Sequence, residues 1–233
     1  MYVYMIDGIL LVDKEVGITS FDVIRRLKKV IQEKIKIGHA GTLDPFATGL
    51  LVILLGKGTK LMNTFHTYEK VYEVEALLGF NTDTQDIQGK EVEKDLKGIK
   101  PSKEEIVEVI ERELLGDILQ KPPMYSAKRV KGERAYSLAR RGEYVDLEPK
   151  QISVSQFEVY EYEYPTLKCK IKCSTGTYIR TLVHDLGTKL GTYATSKNLR
   201  RISIGSFNVN EAIKSDELLE LGKENILRRV INV

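Results

Sequence analysis

Cysteine and histidine are scarce in this chain: its 233 residues hold two of the first and three of the second. Both cysteines stand in LKCKIKCSTGTY, as Cys169 and Cys173. Strand alternation puts them with Ile171 on one face and Lys168, Lys170 and Lys172 on the other. At that spacing their sulfurs lie roughly 13 Å apart, too far for a disulfide. No zinc site is expected either, since none of the three histidines lies close to them in sequence. They read as small buried apolar side chains in a reducing compartment.

Long apolar runs are also missing. None reaches the ~18 residues a membrane span needs, and the longest, from Gly49 to Leu55, reads as a buried strand. The N-terminus, MYVYMIDG, lacks the charged start and apolar stretch of a signal peptide. These features predict a soluble, non-secreted, cytoplasmic protein. Net charge is only +3, so bulk electrostatics excludes little. Its distribution is more telling: Lys168, Lys170, Lys172, Arg180, Lys189, Lys197, Arg200 and Arg201 face Asp185 alone. Such a band suits a phosphate backbone, or is simply a lysine-rich solvated surface.

Cofactor signatures are absent too. GKGTK (56–60) has no Gly-Lys followed by Ser or Thr in the phosphate-loop frame. There is no G-x-G-x-x-G after a strand, no G-x-S-x-G and no H-E-x-x-H. Chemistry in this chain must therefore use carboxylate, arginine, tyrosine and histidine side chains, and no metal or cofactor is expected.

Hydrophobic residues make up 42% of the chain, enough for an extensive core. GILLVDK (8–14) and KVYEVEALLG (70–79) read as strands, the second with Tyr72, Val74 and Ala76 on one face. Thr19 with Asp22, and Ser102 with Glu105, form capping boxes for two helices. Gly116 is placed to end the second helix. FNTDTQDIQGK (80–90) reads as a polar loop. The apolar phase of ISVSQFEVYEYEY (152–164) slips between Val154 and Phe157, which predicts a bulge. A helix over Ile179–Leu190 and a final strand over 198–209 complete the pattern. Strand–strand neighbours without a steady βαβ rhythm predict an α+β fold, with a mixed, mainly antiparallel central sheet flanked by helices.

GHAGTLDPFATGLLVILLGKGTK, from Gly38, places His39 and Asp44 on a glycine-punctuated loop before a buried strand. Pro45 restricts Asp44 to extended backbone. Two readings compete: a turn that merely starts a strand, or the reacting carboxylate of an active site. Spacing alone favours the turn.

That segment resembles the signature loop of the TruB family of pseudouridine synthases. GILLVDKEVGITSFDVI, YEKVYEVEALLGFNTDTQD, QKPPMYSAKRVKGERAYSLARRGE, CSTGTYIRTLVHDLG and LRRISIGSF are similar to further family motifs in the same order. The resemblance implies the pseudouridine synthase fold over 8–207, and isomerisation of uridine to pseudouridine at position 55, in the T-loop of tRNA. It implies that Asp44 is the nucleophile, attacking sugar or base, and that Arg180 pairs with it. Tyr72 would stack on the uracil, and Tyr178 and Leu199 would line its pocket. Asp86 would belong to the arginine's network and Lys14 to the substrate-binding set. His39 would fill the space left by the extruded base.

The implied partner is the T-loop and stem of tRNA, with no membrane, no required protein partner and a monomeric enzyme. Two departures stand out. The family's first motif often reads Lys-Pro-x-Gly, whereas this chain has Glu15 in the proline place; an altered turn is expected there, with no lost chemistry. Residues 208–233 form a short segment, too small for the RNA-binding PUA module that many members carry. Two other functions stay open: a guide-RNA-dependent synthase of the dyskerin type, and a non-catalytic tRNA-binding or tRNA-folding protein on the same scaffold.

Overall fold

Thr19 and Ser102 each open a helix through a reciprocal pair of hydrogen bonds. Thr19 Oγ1 accepts from the Asp22 N–H at 3.2 Å, and the Asp22 carboxylate accepts from the Thr19 N–H at 2.9 Å. Ser102 and Glu105 repeat the arrangement at 3.2 and 2.6 Å. Each box satisfies two N–H groups that a helix start would otherwise leave bare.

The structure, a computed structural model, describes residues 6–126, 128–130 and 132–233. The N-terminal reading over residues 1–5, and motif positions Ala127 and Lys131, lie outside the described residues. The chain begins β1 (Gly8–Lys14), α1 (Ser20–Ile31), β2 (Ile37–Ala40), β3 (Thr48–Leu55), α2 (Met62–Thr67) and β4 (Lys70–Leu78). Next come β5 (Phe80–Thr82), β6 (Glu91–Lys94), α3 (Lys103–Glu113), β7 (Gly116–Gln120), β8 (Arg129–Val130), β9 (Glu133–Arg134) and α4 (Ala135–Arg140). It ends with β10 (Lys150–Glu163), β11 (Thr166–Cys173), α5 (Ile179–Lys189), β12 (Ala194–Ile204), β13 (Phe207–Asn208), β14 (Ile213–Lys214) and α6 (Leu218–Leu227). Packing divides the chain into two units: the described residues up to Tyr72 with Leu199–Val233, and Glu73–Asn198.

In the first unit the strands lie in the order β14-β1-β3-β12. β3 runs antiparallel to β1, with Lys14 opposite Gly49, and parallel to β12, with Arg201 opposite Gly49. β2 adds antiparallel along the far end of β3, placing His39 opposite Ile53. β3 is buried from Gly49 to Leu55, which is why its sequence is continuously apolar instead of alternating. Leu50, Val52 and Leu54 meet Ile9, Leu11, Phe65 and Ile204 in the core of this unit. Gly49, at φ 102°, is needed for the β3–β12 approach: a Cβ there would lie 2.3 Å from the Arg201 carbonyl oxygen.

In the second unit the order β4-β11-β10-β7 holds, with β10 antiparallel to both its neighbours. The register of β10 shifts between Val154 and Gln156, where the phase slip was read, and again between Val159 and Glu161. Cys169, Ile171 and Cys173 point inward on β11, and neither cysteine is in a disulfide. Burial pushes the Cys169 thiol up to about 12. α5 turns Ile179, Leu182, Val183 and Leu186 inward. The class is α+β, with mixed, mainly antiparallel strands.

Three expectations need correction. The polar stretch 80–90 begins with a strand, β5, because Phe80–Thr82 pair antiparallel with β6. The final strand starts earlier, at Ala194, and stops at Ile204. There Gly205, at φ 55°, turns the chain into β13, and β14 follows beside β1. Gly116 opens β7 instead of closing α3, which is capped at Leu114.

Candidate active site

Asp44 stands at the first position of a turn completed by Pro45 and Phe46: its carbonyl accepts from the Ala47 N–H at 3.1 Å. The flanks of the turn are tied down. The Pro45 carbonyl accepts from the Gly17 N–H at 2.7 Å. Ser20 Oγ accepts from the Leu43 N–H at 2.9 Å and donates to the Leu43 carbonyl at 3.2 Å. Leu43, Phe46 and Ala47 are buried, while Asp44 is half-buried. The result is a partly accessible carboxylate on a backbone with little freedom.

The β1–α1 junction that holds this turn carries Lys14. Its side chain is fully buried, with Nζ donating to the Glu15 and Ile18 carbonyls at 2.8 Å each. Burial pulls the ammonium down from 10.5 to about 8, against the opposing fields of Asp44 and Glu15. Glu15, in the family's proline place, is clamped. Arg26 donates to both its carboxylate oxygens at 3.1 and 2.8 Å, and Ser215 Oγ donates at 2.8 Å. Ser215 Oγ also accepts from the Glu15 N–H at 3.0 Å. The altered turn is held by an ion pair and a hydroxyl where a proline ring would have stiffened it.

Arg201 is the site residue that sequence reasoning missed, having counted it in a surface band. It is 1% exposed; Nε donates to the Leu50 carbonyl at 2.7 Å and Nη2 to the Gly41 carbonyl at 2.9 Å. Its guanidinium carbon lies 6.0 Å from the centre of the buried Tyr72 ring, within cation–π range. Period-2 alternation from the apolar Leu199, also buried, would have turned Arg201 inward. His39 is affected by both burial and Arg201, which hold its imidazole below the usual value and therefore neutral at pH 7. Its Nδ1 is buried and meets no hydrogen-bond partner among the described residues.

The second unit brings together the other expected residues. Arg180, 2% exposed, donates from Nη2 to the Tyr125 carbonyl at 2.9 Å and from Nη1 to the Thr84 carbonyl. Nη1 also faces Asp86 Oδ2 at 3.6 Å, so the acid expected in the arginine's network is beside it. Asp86 is itself fixed, its Oδ1 accepting from Thr84 Oγ1 at 2.8 Å and the Gln88 N–H at 3.0 Å. Tyr178 caps α5. Its backbone is gripped by the buried Gln120, whose Oε1 accepts from the Tyr178 N–H at 2.8 Å while Nε2 donates to the carbonyl at 3.0 Å. Nothing in the sequence singled out Gln120.

The basic band is thinner than its composition suggested. Arg180 and Arg201 are interior. Lys168 pairs with Glu161, Lys189 with Glu113, Lys197 with Glu75 and Arg200 with Asp13. Among the described residues no helix is long and apolar enough to cross a membrane.

Comparison with known proteins adds a family likeness. The family model described as TruB family pseudouridylate synthase (N terminal domain) matches residues 28–179. A second, tRNA pseudouridylate synthase B C-terminal domain, matches 180–232. The tRNA pseudouridine synthase B of Clostridium acetobutylicum is 42% identical over 227 residues, covering 97% of this chain and 76% of its own length. That of Endomicrobium trichonymphae is 46% identical over 211 residues and 90% of each chain. Among solved structures, a chain of a Cbf5–Nop10–Gar1 complex superposes with TM-score 0.74 at 25% identity. The match covers 98% of the present chain and 61% of the solved one.

Proposed function

The chain belongs to the TruB family of pseudouridylate synthases, and from that premise we propose that it isomerises uridine to pseudouridine at position 55, in the T-loop of tRNA. The reaction breaks a glycosidic bond, turns the base and rejoins it through carbon. A carboxylate nucleophile suits that sequence of steps, and the role is assigned to Asp44. Tyr72 and Arg180 complete the catalytic set, Tyr72 by stacking on the uracil. Tyr178 and Leu199 line the base pocket, with Lys14 and Asp86 in the binding set.

The target base lies within a folded RNA loop and must be extruded. His39, flat and neutral, fills the vacated space by stacking. The catalytic domain is assigned to 8–207, acting alone as a monomer in the cytoplasm. The observation that carries the reading is the setting of Asp44: a half-buried carboxylate on a turn pinned to Gly17 and Ser20, in the field of a buried ammonium.

The test is a single-turnover assay of the purified chain on unmodified tRNA, with pseudouridine located by chemical mapping. Wild type is expected to convert the T-loop uridine, and Asp44→Asn to bind the tRNA and form none. Substantial turnover by Asp44→Asn would overturn the nucleophile assignment. Conversion only after adding a guide RNA would replace the reading with a guide-dependent one. Tight binding without product from wild type would leave a tRNA-binding protein.

A further inference from the structure

Gln120, Pro122, Lys128, Lys150, Ile152, Gly176 and Tyr178 line a cavity of about 150 Å³ in the second unit. Register explains its floor. Lys150 stands opposite Gln120 across the β10–β7 pair, so both side chains leave the same face, and Ile152 follows two residues on. Gln120 is spent on the Tyr178 backbone and is buried, which fixes one wall. The two lysines supply the cavity's charge.

Neither ammonium group faces a carboxylate among the described residues. Lys128 Nζ donates to the Glu148 carbonyl at 3.0 Å, which leaves it two further N–H donors. The Lys150 ammonium has no hydrogen bond or ion pair among the described residues. Its Nζ lies over Gly176, 3.4 Å from where a Cβ would stand, which places the ammonium beside the cavity's backbone wall. Two cations without carboxylate partners at the rim of one small cavity attract an anion. Lys121, next to Gln120 in the chain, differs in being paired with Asp146 at 2.5 Å.

We propose that this cavity is a phosphate subsite, in which Lys128 and Lys150 hold one phosphodiester of the RNA substrate close to the backbone of Tyr178. The proposal rests on the tRNA reading above and adds to it a strand-positioning contact. Lysine acts here as a point charge with several donors, which suits a phosphate held without base recognition. Because Gln120 ties the cavity to Tyr178, a phosphate seated there sets the strand's position against the residue assigned to the base pocket.

The test uses the full chain and a T-arm hairpin RNA scanned with neutral methylphosphonate linkages, read by equilibrium binding. At one linkage, or two adjacent ones, neutralisation should weaken wild type but leave Lys150→Gln unchanged. Lys128→Gln should lose sensitivity at the same place. Each variant should also flatten the plot of log affinity against log salt by about 0.7–0.9, the effect of one lost phosphate contact. Lys150→Arg should keep the linkage sensitivity, and equal melting temperatures check folding.

Losses that simply add at every linkage would overturn the subsite. So would sensitivity lost at different linkages in the two variants. Pseudouridine assayed on the same preparations separates the two ideas. Turnover with additive losses removes only the subsite, coupling without turnover removes only the activity, and no RNA binding removes both.

Discussion

Arg180 and Asp86 form a buried ion pair, Nη1 to Oδ2 at 3.6 Å, inside the second unit. Such pairs contribute little net stability as a whole, because desolvation offsets their attraction, but removing one partner strands the other. Asp86→Ala would take a carboxylate away from the buried Arg180 and release Thr84 Oγ1 and the Gln88 N–H. The expected loss is about 3–5 kcal/mol by urea unfolding. A loss below ~1 kcal/mol would mean that water readily replaces the carboxylate.

Gly49 is a different kind of requirement, made by backbone against backbone. Gly49→Ala would need φ 102° and would put Cβ 2.3 Å from the Arg201 carbonyl oxygen. Gly98→Ala, at φ 66° with nothing within 4 Å, isolates the dihedral cost, about 1–3 kcal/mol. Gly49→Ala should exceed it clearly, with the β3–β12 pairing forced apart. Equal unfolding free energies for the two variants would show that the strands accommodate a methyl group freely.

Elements written as local patterns were legible in the sequence. β1, the capping boxes of α1 and α3, the alternation of β4 and β11 and the bulge in β10 all follow from side-chain period and cap chemistry. Partnership was less legible. β5 is a strand because β6 exists to pair with it, and Gly205 ends β12 in a hairpin that the alternation of β12 alone does not reveal. The same holds at the site. Asp86 beside Arg180 followed from family resemblance. The alternation of β12 carried the inward turn of Arg201 but not its carbonyl partners, and Gln120 acts on a main-chain N–H and carbonyl that no residue pattern displays. The lysine-rich band misled because charge composition ignores which cations face acids or point inward.

The Glu15 clamp predicts acid sensitivity. Hydrogen bonding from Arg26 holds the Glu15 carboxyl below its ordinary 4.5, with help from Ser215. A depressed carboxylate contributes stability above 4.5 that is lost as pH falls through its folded value. Glu15→Gln should therefore cost about 1–2 kcal/mol at pH 7, allowing for partial exposure. The difference from wild type should shrink as pH falls below 4.5, read by urea unfolding at a series of pH values. A pH-independent difference would mean the cost comes from shape and not from charge.

Lys14 predicts the opposite limb. Its folded value near 8 lies below the ordinary 10.5, so at pH 7 the ammonium is charged in both states and burial opposes folding. Between pH 8 and 10.5 the folded state gives up the proton first, the unfolded state binds more, and stability rises with pH. Unfolding free energy of wild type relative to Lys14→Met should climb through that window. Asp44 raises the Lys14 value, so Asp44→Asn should move the titration to lower pH, followed directly through the Lys14 ε-carbon chemical shift. An unmoved titration would separate the two residues and remove the ammonium from any part in tuning the carboxylate assigned as nucleophile.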